Sequence, residues 1–331
     1  MKVFIAGATG VLGRRLVRRF TERGHAVVGL VRGTNGENIV RALGGESRQA
    51  DLFDSDSLAQ AADGCDTVIH AATAIPTKQK TIPADWALND RIRRQGTRRL
   101  TEAAGKIGAK AYLQQSVVWV ARPKDGSAFD EDSPVVPDPL VQSAIDAEMI
   151  AREAGSVDGF TTAVLRGGAF YDSDSAHTQM LAEGLRKRGL PIIGSGDAVW
   201  AMIHTDDAAS AFVTVAEQPR NGVWHVVDNK PVTVRELLLA WASRLGARPP
   251  HRVPIWLAKW FAGEDAVRYF TSSTRTTNAR LRRDFGWSPR YPSYREGLDQ
   301  IVAAWNAEVP RVPQASAPKT EKKMANSERS G

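Results

Sequence analysis

The stretch Gly7-Ala8-Thr9-Gly10-Val11-Leu12-Gly13 closes a β-rich run that begins at Lys2 and opens a helical pattern, residues 11–23, that Gly24 ends. A tight turn and a close approach of backbone to a diphosphate both demand residues without a Cβ. The helix start adds free N–H groups and the positive end of its dipole. Glycines at 7, 10 and 13 answer those needs, and the strand before them and the helix after them separate this turn from an ordinary one. The reading is a dinucleotide site in which Gly7, Thr9, Gly10, Val11, Leu12 and Gly13 hold the cofactor.

Outward from this turn, to about residue 120, short β-rich runs alternate with helices. Strands are expected at 26–32, ending near Leu52, at 68–72 and at 111–117; helices are expected at 38–43, 55–62 and, longest, 83–107. Strands joined by helices cross over in one sense and give a parallel sheet covered on both faces. The predicted fold is therefore α/β, a doubly wound parallel sheet of the Rossmann type with a smaller C-terminal substrate lobe. Residues 1–170 are expected to form the dinucleotide-binding domain, with later strands near 190–228 interleaved into it. Residues 171–308 are expected to be mainly substrate lobe.

The 331 residues carry 42% hydrophobic content and a single cysteine, Cys65, which excludes wholesale disorder, a collagen-like fibre and a disulfide scaffold. The lone thiol and the absence of a Cys/His cluster with zinc spacing fit a reducing compartment, and a cytoplasmic location with no metal is expected. The opening apolar run is too short for a signal-peptide core, and no run approaches the ~20 apolar residues of a membrane span. The formal charge of +7 is uneven: residues 309–331, with five basic and two acidic side chains, read as a disordered basic tail. What remains on the body is modest, so no nucleic-acid partner is expected. The arginine run Arg91, Arg93, Arg94, Arg98 and Arg99 reads as a solvated or subunit-facing helix surface.

An acid about 20 residues beyond the glycine turn would bind the ribose hydroxyls of NAD, whereas an arginine there suits the 2′-phosphate of NADP. Leu30-Val31-Arg32-Gly33 offers no acid. Arg32 can hold the extra phosphate by charge-assisted bonds, with Arg14 as a helper, so NADP (NADPH) is the expected cofactor and NAD the second choice. Asp51 and Leu52 are expected near the adenine. Ala71, Ala72 and Thr73 close the fourth strand with small residues at its carboxyl end, where ligands of open α/β sheets sit. His70 beside them has no evident proton partner and reads as a packed structural histidine.

Taken together, Gly7 to Gly13, Asp51, His70-Ala71-Ala72, Gly96-Thr97, Ser116 and Ile203-His204-Thr205-Asp206-Asp207 resemble the extended short-chain dehydrogenase/reductases, the NAD-dependent epimerase/dehydratase family. The resemblance runs to about residue 305 and implies a hydride-transferring enzyme on a Rossmann fold. It also implies a possible homodimer through the 83–107 helix. Members of that family usually pair a serine with a Tyr-x-x-x-Lys dyad, and Ser116 matches the serine. Glu148 resembles the glutamate four residues after the lysine, which puts Ala144 at the lysine position and Leu140 at the tyrosine position. Arg93 stands where the family commonly has asparagine.

A hydrocarbon cannot donate a proton, so the usual dyad chemistry does not carry over. Three readings follow. Ser116 donates a hydrogen bond while Tyr171 or a water supplies the proton, with His177, in the polar loop 172–178, as a further candidate. Alternatively the acceptor is activated or conjugated and needs little acid catalysis. In the third, the protein binds NADP without turning it over, as a regulator. The expectation is an NADP(H)-dependent oxidoreductase acting on a small, partly apolar carbonyl or conjugated compound; a nucleotide-sugar epimerase or dehydratase is a weaker alternative. Trp119, Phe170, Tyr171, Trp200, Trp256 and Trp260 are the expected aromatic lining. The carboxylates of Asp206 and Asp207 read as caps on a helix N-terminus rather than as a metal site.

Overall fold

The computed structural model describes residues 1–76 and 81–308; the expected basic tail, 309–331, lies outside the described residues. Chain order runs β1 (Lys2–Ala6), α1 (Val11–Glu22), β2 (Ala26–Val31), α2 (Thr34–Ala42), β3 (Glu46–Gln49), α3 (Ser55–Ala61), β4 (Thr67–His70), α4 (Pro83–Arg91), α5 (Thr97–Lys106) and β5 (Ala111–Val117). It continues through α6 (Gln142–Asp158), β6 (Thr161–Gly167), β7 (Ala169–Tyr171), α7 (Ala176–Arg186), β8 (Ile192–Ile193), β9 (Val199–Trp200), β10 (Met202–His204), α8 (Thr205–Glu217) and β11 (Gly222–Val226). The last stretch holds β12 (Val232–Thr233), α9 (Val234–Arg244), β13 (Arg252–Val253), α10 (Ile255–Ala262), α11 (Glu264–Thr271), α12 (Ala279–Phe285) and α13 (Tyr294–Glu308).

Seven strands form one parallel sheet in the order β11-β6-β5-β4-β1-β2-β3. Alternation along β1 decides its two faces: Val3 and Ile5 join a core with Leu16 of α1 and Phe212 of α8. Phe4 and Ala6 join another with Leu58 of α3, Leu100 of α5 and Ala151 of α6. Polar β3, Glu46-Ser47-Arg48-Gln49, takes the edge, where unpaired backbone and charged side chains meet water. The order reverses between β1 and its neighbours β2 and β4, so a crevice opens at the carboxyl ends of β1 and β4. This is the doubly wound Rossmann sheet expected from the strand–helix rhythm.

Two departures matter for the site. The expected helix 83–107 is divided by a five-residue π-helical turn, Ile92–Gly96, between α4 and α5. Such a turn absorbs an extra residue and re-aims the side chains on it. Of the strands expected near 190–228, only β11 joins the large sheet. β10 pairs with β7, β9 with β12 and β8 with β13, because each run has only two or three residues. A separate core of Tyr171, Trp200, Trp241, Leu298 and Ile301 fills this second lobe. Among the described residues no helix is long and apolar enough to cross a membrane.

Candidate active site

At the switch point the three glycines have distinct jobs. Gly7 has φ +88°, and a β-carbon there would stand 2.6 Å from the Ala72 nitrogen and 2.7 Å from the Ala71 carbonyl. A β-carbon on Gly13 would lie 1.9 Å from the Gly7 oxygen, so only glycine lets α1 close onto the turn. Gly10, exposed, is the N-cap of α1 and has no side-chain cap; its N–H donates to the Gly7 oxygen at 3.0 Å. The N–H groups of Val11, Leu12 and Gly13 therefore have no partner within the helix and are available to an anion. The Leu12 side chain is in the core, at 4% exposure. The close packing that a Cβ would fill, together with the open helix start, fits a dinucleotide diphosphate.

Arg32 lies exposed just past β2 and forms no hydrogen bond or ion pair with any described residue. Arg14, by contrast, donates to Asp174 Oδ2 at 2.6 Å and is turned toward the segment before α7, not toward Arg32. Asp51 is exposed, and its Oδ1 accepts from the Phe53 N–H at 2.9 Å. Leu52, half-buried, covers Gly96, where a β-carbon would come within 3.2 Å of Leu52 Cδ2. Thr73 is exposed beyond the buried Ala71. His70 is buried; its Nδ1 accepts from the Ala72 N–H at 3.3 Å, and its Nε2 faces the Ile92 carbonyl at 3.4 Å. Burial, with the Arg93 charge adding to it, pushes its pKa down to about 4, so the ring is a neutral structural link between β4 and the π turn.

The chemistry expected of Ser116 is altered by its neighbours. Its Oγ donates to Glu148 Oε1 at 2.5 Å, and Arg166 holds the same carboxylate by two bonds, Nε to Oε1 at 2.9 Å and Nη2 to Oε2 at 2.7 Å. All three side chains are buried. The Ser116 proton is thus spent on Glu148, leaving the hydroxyl oxygen only as an acceptor. The Glu148–Arg166 pairing was not foreseen from sequence; the signal available was a charge within the apolar strand β6 and an opposite one on the preceding helix α6.

Tyr171 is 2% exposed, and its hydroxyl donates to the Ser293 carbonyl at 3.4 Å. A β-carbon on Gly297 would sit 2.4 Å from that hydroxyl, so α13 packs directly on the ring. Burial, and after it the Asp228 carboxyl, push the phenol well above its ordinary pKa of 10.0. The expected proton source is corrected by this geometry: Tyr171 is a packed aromatic of the second-lobe core. The aromatic lining is corrected too. Trp119 stacks on Tyr269 at 6.2 Å, and Tyr269 meets Trp200 at 4.8 Å and His177 edge-on at 6.4 Å. Trp256 and Trp260 are instead 71% and 75% exposed on α10.

Leu140 and Ala144 stand at the start of α6. The Leu140 N–H donates to Asp138 Oδ1 at 2.9 Å, and Asp138 is met by Arg122 at 3.7 Å and by Arg268 of α11 at 3.2 Å. Arg268 of the second lobe thus reaches the segment that leads into α6. The arginine run is not simply solvated: Arg91 lies over the Phe53 ring at 3.8 Å and Arg94 pairs with Asp146 of α6 at 2.6 Å. Arg93 turns inward to Ser143 Oγ at 3.5 Å. At α8 the expected cap is also corrected. His204 Nδ1 accepts from the Asp206 N–H at 3.2 Å, and burial pushes this imidazole down to about 4, which keeps that lone pair free. Asp206 is drawn to Arg15 Nε at 2.8 Å, and Asp207 accepts from the Arg290 and Tyr291 N–H groups at 2.7 and 2.9 Å. A ring nitrogen does the capping because both carboxylates have stronger partners.

The fold and its glycine turn define an enzyme of the nicotinamide-dinucleotide class. A model of the NAD dependent epimerase/dehydratase family matches residues 3–227. Over 306 residues the chain is 32% identical to a 3-diazoavenalumate denitrifying reductase of a Streptomyces species, covering 90% of this chain and 99% of that protein. It is 25% identical over 331 residues to 4-hydroxy-2-methyl-3-oxo-4-farnesyl-3,4-dihydroquinoline-1-oxide ketoreductase of Stigmatella aurantiaca, with 92% and 96% covered. The solved structure of human epimerase family protein SDR39U1 with NADPH shares the fold at TM-score 0.77 and 21% identity, covering 92% of this chain and 99% of that one. The chain belongs to the NAD-dependent epimerase/dehydratase family, the extended short-chain dehydrogenase/reductases, and is an oxidoreductase.

Proposed function

We propose that the protein is an NADP(H)-dependent reductase of small, partly apolar acceptors that are already electrophilic, such as conjugated carbonyl or diazo compounds, and that need no protein acid. The observation that carries this reading is the hydrocarbon pair Leu140 and Ala144 in the places of tyrosine and lysine, beside a Ser116 whose proton is committed to Glu148. When bound, the nicotinamide supplies the hydride. Gly7, Gly10, Gly13 and the free N–H groups of α1 seat the diphosphate, Ala71 and Ala72 leave it room, and Arg32 takes the 2′-phosphate. Residues 171–308 mainly form the substrate lobe, with Tyr269 of α11 and Trp119 as an aromatic wall. The similar Streptomyces protein is named for a diazo compound, an acceptor of this kind.

A well-placed general acid contributes about 10²–10⁴-fold to such reductions. With NADPH, a conjugated enone or a diazoketone is therefore expected to be reduced at least ~100-fold faster than acetophenone. Equal rates on all three acceptors would require an acid at the site and overturn this reading. The cofactor preference has its own test. Arg32→Asp removes a charge-assisted contact worth about 1.5–3 kcal/mol, so calorimetry is expected to show NADPH binding weakened by about 10- to 150-fold and NADH binding preserved or improved. Unchanged preference would place the 2′-phosphate elsewhere.

A further inference from the structure

Arg93 is the unusual cation of this site. Burial lowers the pKa of its guanidinium and the Asp90 carboxylate offsets part of that, yet among the described residues Arg93 has no ion pair within contact distance and one hydrogen bond, at 3.5 Å to Ser143 Oγ. A charge taken out of water with no counter-charge in contact is costly. One turn earlier, Asn89 is fully buried: its Oδ1 accepts from the Ala74 N–H at 3.0 Å, and its Nδ2 has no partner among the described residues. Residues four apart share a helix face. These two groups, each with donors to spare, therefore span from the carboxyl end of β4, where Ala74 follows Ala71 and Ala72, to Ser143, which adjoins Ala144.

We propose that Arg93, with the Asn89 amide, binds a carboxylate carried by the substrate. This rests on the reading that NADP(H) fills the glycine turn. A guanidinium fork matches the two oxygens of a carboxylate. One negative charge balances the site: among the described residues Arg91, Arg93 and Arg94 face only the carboxylates of Asp146, 2.6 Å from Arg94, and Asp90, 3.8 Å from Arg94. Ala144, in place of a lysine, sets no second cation beside Ser143. Binding there fixes one end of the acceptor against α6 and leaves the other end for the hydride.

The test is calorimetric titration of benzoate into the protein saturated with NADP⁺, with benzamide as the uncharged control. Benzoate is expected to bind and benzamide not to. Arg93→Gln is expected to weaken benzoate by about tenfold or more, and Arg93→Lys by less, with NADP⁺ affinity unchanged in both. Asn89→Asp, which places a like charge at the site, is expected to weaken benzoate as strongly and carries the test should Arg93→Gln not fold. Failure of benzoate to bind the NADP⁺-saturated protein, or equal binding of benzamide, overturns the carboxylate site alone. Failure of NADP⁺ itself to bind overturns the cofactor reading and this one with it.

Discussion

Gly13→Ala is expected to weaken NADPH binding about 5- to 150-fold and to lower the melting temperature, because the new β-carbon would stand 1.9 Å from the Gly7 oxygen. No flexible side chain can yield there, since the obstruction is backbone. Helix α1 must back away from the turn, and the N–H groups that face the diphosphate move with it. Overpacking of this kind costs about 1–3 kcal/mol. Gly33→Ala is the matching control: its φ of 169° is ordinary extended backbone, and a β-carbon there meets nothing within 4 Å. Calorimetry with NADPH on both variants checks the pair. Equal affinities would show that the glycine turn does not hold the cofactor.

Glu148→Ala should be the most damaging change to stability near the site. Among the described residues it leaves the buried Arg166 guanidinium, whose Nη1 already has no partner there, without an ion pair. Breaking one side of a buried pair costs about 3–5 kcal/mol, whereas replacing both sides with apolar groups of similar volume is close to neutral. The double variant Glu148→Leu/Arg166→Met is therefore expected to recover most of the loss in urea unfolding. If the double variant is as unstable as the single one, the cost lies in packing and not in the uncompensated charge. The same experiment bears on Ser116, whose hydroxyl bond disappears in both variants.

The sequence made the sheet legible where period and punctuation agree. Lys2–Ala6, the glycine turn and Val11–Glu22 form a strand, a loop and a helix whose residues each prefer their own state. Gly13 was readable because its requirement is local, the Gly7 oxygen excluding a Cβ, and Gly7 because its positive φ marks a tight turn, although the backbone that crowds it belongs to Ala71 and Ala72. Contacts between distant elements were not readable. Tyr171 follows a strand that points toward the crevice, yet α13, more than a hundred residues later, packs Gly297 onto its ring. Ser116 matches the family pattern, but its proton goes to a glutamate 32 positions on. The π turn at Ile92–Gly96 left no periodic signature, because five residues are too few to shift a pattern averaged over the whole 83–107 stretch.

Hydride transfer from NADPH to an electrophilic acceptor, without a tyrosine acid, is the claim on which the functional account stands. The most direct test is single turnover of NADPH deuterated at the transferable C4 position against a conjugated enone, with the product read by mass spectrometry. The account predicts one deuterium on the product carbon and a slower turnover than with unlabelled NADPH. A product carrying only solvent hydrogen, or no product with a cofactor that demonstrably binds, would contradict it.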